Sequence, residues 1–168
     1  MGVSGAGKTT LGALLAARLG CAFLDADDFH PPANVAKMTS GMPLDDADRA
    51  PWLARLNAEL RLRDAAGESA VLACSALKQA YRDALVQGLG VAHVAYLEGR
   101  RETIAARLAA RAHRYMPASL LESQFATLEP PARALRVDVE GSPEHSLEAL
   151  LRALAAAGDP SASAPSAG

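Results

Sequence analysis

Gly2-Val3-Ser4-Gly5-Ala6-Gly7-Lys8-Thr9 matches the pattern G-x-x-x-x-G-K-[ST] in full. A loop of this kind binds phosphate. Its glycines allow a tight turn with inward-pointing backbone N–H groups, and the helix that follows offers its N-terminus to an anion. Lys8 reaches the terminal phosphates and the Thr9 hydroxyl can ligate Mg²⁺. Gly2, Val3, Ser4, Gly5, Ala6, Gly7, Lys8, Thr9 and Thr10 are therefore candidate nucleotide contacts, with Lys8 also catalytic and Thr9 also a metal ligand.

Asp25-Ala26-Asp27 supplies a second kind of chemistry. Phosphoryl transfer to an alcohol needs one carboxylate near Mg²⁺ or its waters and another to accept the hydroxyl proton. Asp25 is assigned the first role and Asp27 the second, while Asp28 reads as a cap for the next segment. Farther along, Arg107, Arg111, His113 and Arg114 precede Met116-Pro117. They suit a lid that closes over a nucleotide, with Arg107 and Arg111 touching phosphate and Arg111 stabilising charge on the transferring group.

These side chains can act together only if the surrounding elements converge. Residues 8–19 read as a helix, since Leu11, Leu14, Leu15 and Leu19 recur at three- and four-residue intervals and Gly20 offers a stop. The apolar run 21–24 reads as a buried strand whose C-terminal end delivers the carboxylates, the side on which parallel α/β sheets bind ligands. Residues 30–46 read as irregular or briefly helical, and 48–66 as a helix. Three strand-then-helix cycles follow, at 70–74 with 78–87, 91–97 with 100–112, and 135–139 with 143–157; an extra segment at 113–128 precedes the last. The fold class is α/β, a three-layer sandwich of a parallel sheet with helices on both faces and right-handed crossovers.

A phosphate loop of this type needs a strand before it, and none can be placed ahead of Met1, so four strands are expected where five would be. The expectation is a chain lacking its first strand, with a gap in the sheet flanked by unpaired backbone.

With 168 residues the chain fits one domain, placed at 1–157, with a substrate-binding insert at about 28–66, a lid at about 107–120 and a disordered tail at 158–168. Seventeen basic side chains against 19 acidic ones, a net charge of -2, give no general reason to bind nucleic acid or a membrane surface. No apolar run reaches bilayer-spanning length. Cys21 and Cys74 lie in apolar runs without metal-site or disulfide spacing, which points to a reducing cytoplasm.

The guanine-reading motif of a signalling GTPase is absent, and a large ATPase or helicase would need more chain, which leaves a small kinase. The blocks Asp25 to Met38, Pro43 to Asp46 with Asp48 to Leu53, Cys74 to Lys78 with Tyr81-Arg82-Asp83, and Met116 to Leu121 with Ser123 to Pro130 resemble the gluconokinase family. They occur in order from Gly2 to about Pro143. The resemblance implies a kinase of the nucleoside-monophosphate-kinase type, usually a homodimer. It would transfer the γ-phosphoryl of ATP, with Mg²⁺, to the 6-hydroxyl of D-gluconate, giving 6-phospho-D-gluconate for sugar-acid catabolism.

Gluconate is a polyol bearing a carboxylate and calls for cations and hydrogen-bonding groups. His30, Lys37, Arg49, Lys78 and Arg82, with Asp27, are the candidate substrate contacts, and Thr9 and Asp25 the metal ligands. Arg82 could instead pair with Asp83 or Asp45, while Trp52, Tyr81 and Cys74 read as packing residues. Two departures from the family pattern are visible: His113-Arg114-Tyr115 stands where Gly-His before an aromatic is usual, and Ala26 stands where Gly separates the two aspartates. Ala26 is tolerated only if its φ is negative. The alternatives are a shikimate-like or nucleoside-monophosphate kinase, a nucleotide- and gluconate-binding regulator without turnover, or an unfolded, inactive product of truncation. A Gly-Gly-Gly turn after the third strand, expected of a shikimate kinase, is replaced by Cys74-Ser75-Ala76.

Overall fold

Glycines bracket the first helix, α1 (Lys8–Leu19): Gly7 at its N-cap and Gly20 at its C-cap have φ of 89° and 66°, conformations that cost a side chain energy. The computed structural model describes residues 1–110 and 119–158. Arg111, His113, Arg114, Met116 and Pro117 of the expected lid, and residues 159–168 of the expected tail, lie outside the described residues.

After α1 the chain runs through β1 (Ala22–Asp25), a 3-10 turn (Ala26–Phe29), α2 (Pro32–Thr39), α3 (Asp46–Ala65), β2 (Ala70–Ala73) and α4 (Gln79–Val86). It continues through β3 (Ala95–Glu98), α5 (Arg101–Ala110), α6 (Ser119–Thr127), β4 (Leu135–Asp138) and α7 (Pro143–Ala156). β1 pairs with β2 in parallel, Ala22 opposite Ala70 and Asp25 opposite Ala73. β3 pairs with β4 in parallel, Ala95 opposite Leu135 and Glu98 opposite Asp138. The four expected strands and their parallel sense are present.

They form two separate two-stranded sheets. Met1 and Gly2 bridge the seam: the Met1 amino group donates to Ala95 O, Leu97 N donates to Met1 O at 3.0 Å, and Gly2 N donates to Ser75 O at 3.2 Å. One core lies beneath the phosphate loop, where Val3, Leu11, Leu97, Ile104, Val137 and Leu150 pack together. A second gathers Trp52, Leu56, Cys74, Tyr81 and Leu85 between β2, α3 and α4. At about 25 cal/mol per Å² of apolar surface buried, each such large side chain contributes roughly 1.5–3 kcal/mol.

Two expectations shift. Within 30–46 the brief helix is α2, which resolves the open alternative: Pro32 sits in its first turn, where its missing N–H costs nothing and its fixed φ suits a helix. α3 begins two residues before the expected start because Asp45 and Asp48 form a capping box, each side chain accepting the other's backbone N–H.

Candidate active site

The phosphate loop joins the Met1–Gly2 bridge to α1 and packs tightly. A Cβ on Gly5 would lie 2.8 Å from Leu108 Cγ, and one on Gly2 would lie 2.9 Å from Leu97 O, so only glycine fits at either place. From the far side, Gln124 of α6 braces the loop, its Oε1 accepting from Ser4 N at 2.7 Å and its Nε2 donating to Ser4 Oγ at 3.2 Å. Inside, Lys8 Nζ donates to Val3 O at 3.0 Å. Burial lowers the Lys8 pKa, opposed chiefly by the charge of Asp27. A desolvated ammonium held on a loop carbonyl is poised to exchange that carbonyl for a phosphate oxygen.

Asp25 ends β1 and holds two elements at once. Its Oδ2 accepts from Thr9 Oγ1 at 2.9 Å, and its Oδ1 accepts from Asp27 N at 3.1 Å, starting the 3-10 turn. Asp27 is thereby fixed beside the loop. Burial raises the Asp27 pKa, and the charge of Asp25 raises it further against the smaller opposite pull of His30 and Lys8. The carboxylate is therefore a stronger base than an exposed aspartate. Ala26 between them is buried, and Ala76 (φ 43°) is the only non-glycine with positive φ among the described residues, so Ala26 fits where glycine is usual.

His30 follows the turn and stacks on Trp52, ring centroids 4.3 Å apart and planes 13° from parallel. Trp52 is itself anchored by donation from Nε1 to Ala26 O at 2.8 Å. His30 Nδ1 is buried with no hydrogen-bond partner. Burial lowers the His30 pKa, Asp27 opposes this and Arg49 adds to it, so the imidazole is neutral at pH 7.

The cations divide into two groups. Arg49 and Lys78 share one carboxylate: Lys78 Nζ donates to the Asp46 oxygens at 2.9 and 2.8 Å, and Arg49 Nη1 lies 3.9 Å from Asp46. Tyr81 joins them, its hydroxyl donating to Asp46 and accepting from Arg49 Nη1 at 3.4 Å. Two cations share one carboxylate, so the trio carries one net positive charge, which a second, incoming carboxylate would balance. Lys37 and Arg82 are engaged elsewhere. Lys37 Nζ is paired with Asp48 at 2.7 Å and so supports the cap of α3.

Arg82 corrects the sequence reading. It is 4 % exposed, and its guanidinium donates to Ala76 O at 2.9 Å, Leu77 O at 3.0 Å, Glu129 O at 2.8 Å and the Gln79 side chain. These donors go to backbone carbonyls and to Gln79, not to Asp83 or Asp45. Its position explains why Ala76 holds a left-handed conformation that costs about 1–3 kcal/mol: Arg82 ties its carbonyl in place.

Arg107 lies beside the loop rather than across its mouth. Its Nη2 donates to Val139 O at 2.6 Å, and it lines a hollow of about 190 Å³ with Gly7, Thr10, Gly141 and Pro143. Sequence reasoning left the adenine-contacting residues open. Gln124 was also missed, because its partner Ser4 is 120 residues away in sequence. Among the described residues no cluster of His, Cys, Asp and Glu could hold a metal alone, and no helix is long and apolar enough to cross a membrane.

A glycine loop capping a helix, with a D-x-D pair at the end of the adjacent parallel strand, defines a P-loop phosphotransferase. Residues 1–131 match the family model described as an AAA domain. The chain is 49 % identical over 155 residues to a gluconokinase of Gluconobacter oxydans, covering 90 % of this chain and 87 % of that one. It is 48 % identical over 131 residues to the thermosensitive gluconokinase of Escherichia coli, covering 78 % and 70 %. The crystal structure of a gluconokinase from Sinorhizobium meliloti superposes with a TM-score of 0.84 at 40 % identity, over 94 % of this chain and 90 % of the other. The chain belongs to the gluconokinase family.

Proposed function

We propose that this protein transfers the γ-phosphoryl of ATP to the 6-hydroxyl of D-gluconate, releasing ADP and 6-phospho-D-gluconate. The observation that carries the reading is Asp27, made more basic by its surroundings, next to Lys8, with Arg49 of α3 and Lys78 at the N-cap of α4 sharing Asp46. Asp27 accepts the proton of the 6-hydroxyl as its oxygen bonds to phosphorus and the bond to the ADP oxygen breaks. Lys8 leaves Val3 O for the phosphates and neutralises charge on the transferring group. Arg49 and Lys78 receive the gluconate carboxylate, and the free His30 Nδ1 is available to a substrate hydroxyl.

The Thr9 hydroxyl and Asp25 carboxylate, 2.9 Å apart, are hard oxygen donors of the kind Mg²⁺ takes together with phosphates and water. Bound there, Mg²⁺ would supply charge neutralisation at the phosphates. Arg107 and the hollow beside it hold the nucleotide base, and Arg111, outside the described residues, is assigned to the phosphates as part of the lid. The family resemblance supports a homodimer, and two cysteines without a disulfide are in keeping with a reducing cytoplasm.

A coupled ADP-release assay across sugar acids, shikimate and nucleoside monophosphates tests the reading. Gluconate is expected to be turned over at least about tenfold better than any other acceptor. Faster turnover of shikimate or a nucleotide, or binding of ATP and gluconate without ADP release, would reject it.

A further inference from the structure

The phosphate loop is gripped at one peptide unit from two sides. Val3 O accepts from Lys8 Nζ at 3.0 Å, while Ser4 N donates to Gln124 Oε1 at 2.7 Å. These two groups belong to the same planar trans peptide, so the carbonyl and the N–H point in opposite directions. Lys8 and Gln124 therefore hold one plane by its two edges.

The Val3 side chain is buried in the core beneath the loop, which fixes its Cα but leaves the peptide beyond it to turn on ψ of Val3 and φ of Ser4. Ala6 N donates to Val3 O as well, at a longer 3.3 Å. On the Ser4 side, Gln124 meets the N–H and also the hydroxyl, which accepts from Nε2 at 3.2 Å. When Lys8 exchanges Val3 O for a phosphate oxygen, the inner grip is released while the loop must keep its shape. The outer grip remains.

A group that positions a loop must itself be held. Gln124 lies in the middle of α6, and α6 is anchored along its length: Leu121, one turn earlier, is buried in the core that holds Val3. Glu122 accepts from Arg101 of α5, whose guanidinium also lies 4.7 Å from the ring centroid of Phe125. Beyond the end of α6, Glu129 Oε2 accepts from Gln79 N at 2.6 Å, and Glu129 O accepts from the buried Arg82 at 2.8 Å. The Gln124 amide is thus placed by α6, and the Ser4 peptide follows it. A glutamate in its place accepts from the Ser4 N–H and, once the hydroxyl turns to donate, from Ser4 Oγ too; a methionine fills the same volume and makes neither bond.

We infer that Gln124 is a positioning residue for phosphoryl transfer: by holding the Val3–Ser4 peptide it sets where Lys8 rests and the loop shape through which Lys8 meets phosphate. The inference rests on the proposed transfer from ATP to gluconate. Displacing a group by about 1 Å can cost about 10²-fold in rate, and a cation aimed at developing charge is most sensitive to it. The Arg49, Lys78 and Asp46 trio stands on α3 and at the start of α4, so gluconate binding does not pass through the Ser4 peptide.

The test compares the parent with Gln124→Met, Gln124→Ala and Gln124→Glu by steady-state kinetics and thermal melts, with a crystal structure of ligand-free Gln124→Met. Met and Ala are expected to lower kcat about 10–100-fold, with the gluconate KM within about twofold of the parent. Glu is expected to recover kcat to within about fivefold of the parent, a rescue that lost packing would not show. In the crystal structure the Val3–Ser4 peptide is expected to have turned, with Lys8 off Val3 O. Should Gln124→Met fail to melt cooperatively, Gln124→Ala against Gln124→Glu carries the same comparison. Parent-like kcat in Met and Ala, a loss that Glu does not recover, or a loss confined to the gluconate KM would overturn the inference. If the parent itself released no ADP with gluconate, the proposed reaction would fall and the crystal structure would decide: a turned peptide upholds the role of Gln124, and an unmoved peptide with Lys8 still on Val3 O overturns it.

Discussion

Thr9 Oγ1 donates to Asp25 Oδ2 at 2.9 Å, tying the first turn of α1 to the last residue of β1. Through this one bond the helix that follows the glycine loop is joined to the turn that carries Asp27, the proposed base. The other oxygen of Asp25 accepts from Asp27 N, so positioning of the base depends on the same carboxylate.

Thr9→Ala and Asp25→Asn are each expected to raise the Mg²⁺ concentration for half-maximal rate by about 10–100-fold. Because both act on one ion, the double variant falls short of the product of the two effects. Mg²⁺ titrations of the four forms check this, and multiplicative effects would separate the two residues.

The cations divide by task. Arg49→Ala and Lys78→Ala are expected to raise the gluconate KM at least about tenfold with little change in the ATP KM, since charge-assisted bonds contribute roughly 1.5–3 kcal/mol each. Arg82→Ala leaves several carbonyls without a donor, at about 3 kcal/mol or more, and lowers the melting temperature by roughly 6–12 °C. Steady-state kinetics beside thermal melts distinguish the two groups.

Asp27 has an opposite effect on stability. Its pKa is raised in the folded protein by burial and by Asp25, so the folded state binds the proton more tightly than the unfolded one. Its contribution is fully present below the ordinary aspartate pKa and is lost as pH rises through the folded value. Asp27→Asn is therefore expected to raise the melting temperature of the ligand-free protein at pH 7, with the difference vanishing in acid. Melts from pH 3 to 8 measure it.

Glu140 works the other way. It accepts from Arg100 N, the Arg100 side chain and Thr103 Oγ1, which pull its pKa from 4.5 down to about 2. The stability it contributes is present above the ordinary glutamate pKa and is lost as pH falls toward 2. Glu140→Gln should melt lower than the parent at pH 7 and match it near pH 2, as paired acid titrations would show.

What was legible in the sequence was local. The glycine loop, the helix it starts and the D-x-D at a strand end follow from residue types a few positions apart, and they stand where the pattern put them. The four parallel strands were legible too, though not which of them pair: β1 with β2 and β3 with β4. Side chains whose partners are distant were not. Arg82 looked like a ligand because nothing nearby reveals that it folds back onto the carbonyls of Ala76, Leu77 and Glu129. Lys37 finds Asp48 only once α2 and α3 are packed, and Gln124 finds Ser4 only across the whole chain.

Gluconate-dependent ADP release by the folded protein and by Asp27→Asn, with ATP affinity measured on both, tests the central claim most directly. The account predicts robust release from the parent, a loss in kcat of about 10²–10⁴-fold in the variant, and ATP dissociation constants within about twofold of each other. Near-parent turnover by Asp27→Asn, or a cooperatively folded parent that binds ATP and gluconate yet releases no ADP, would contradict it.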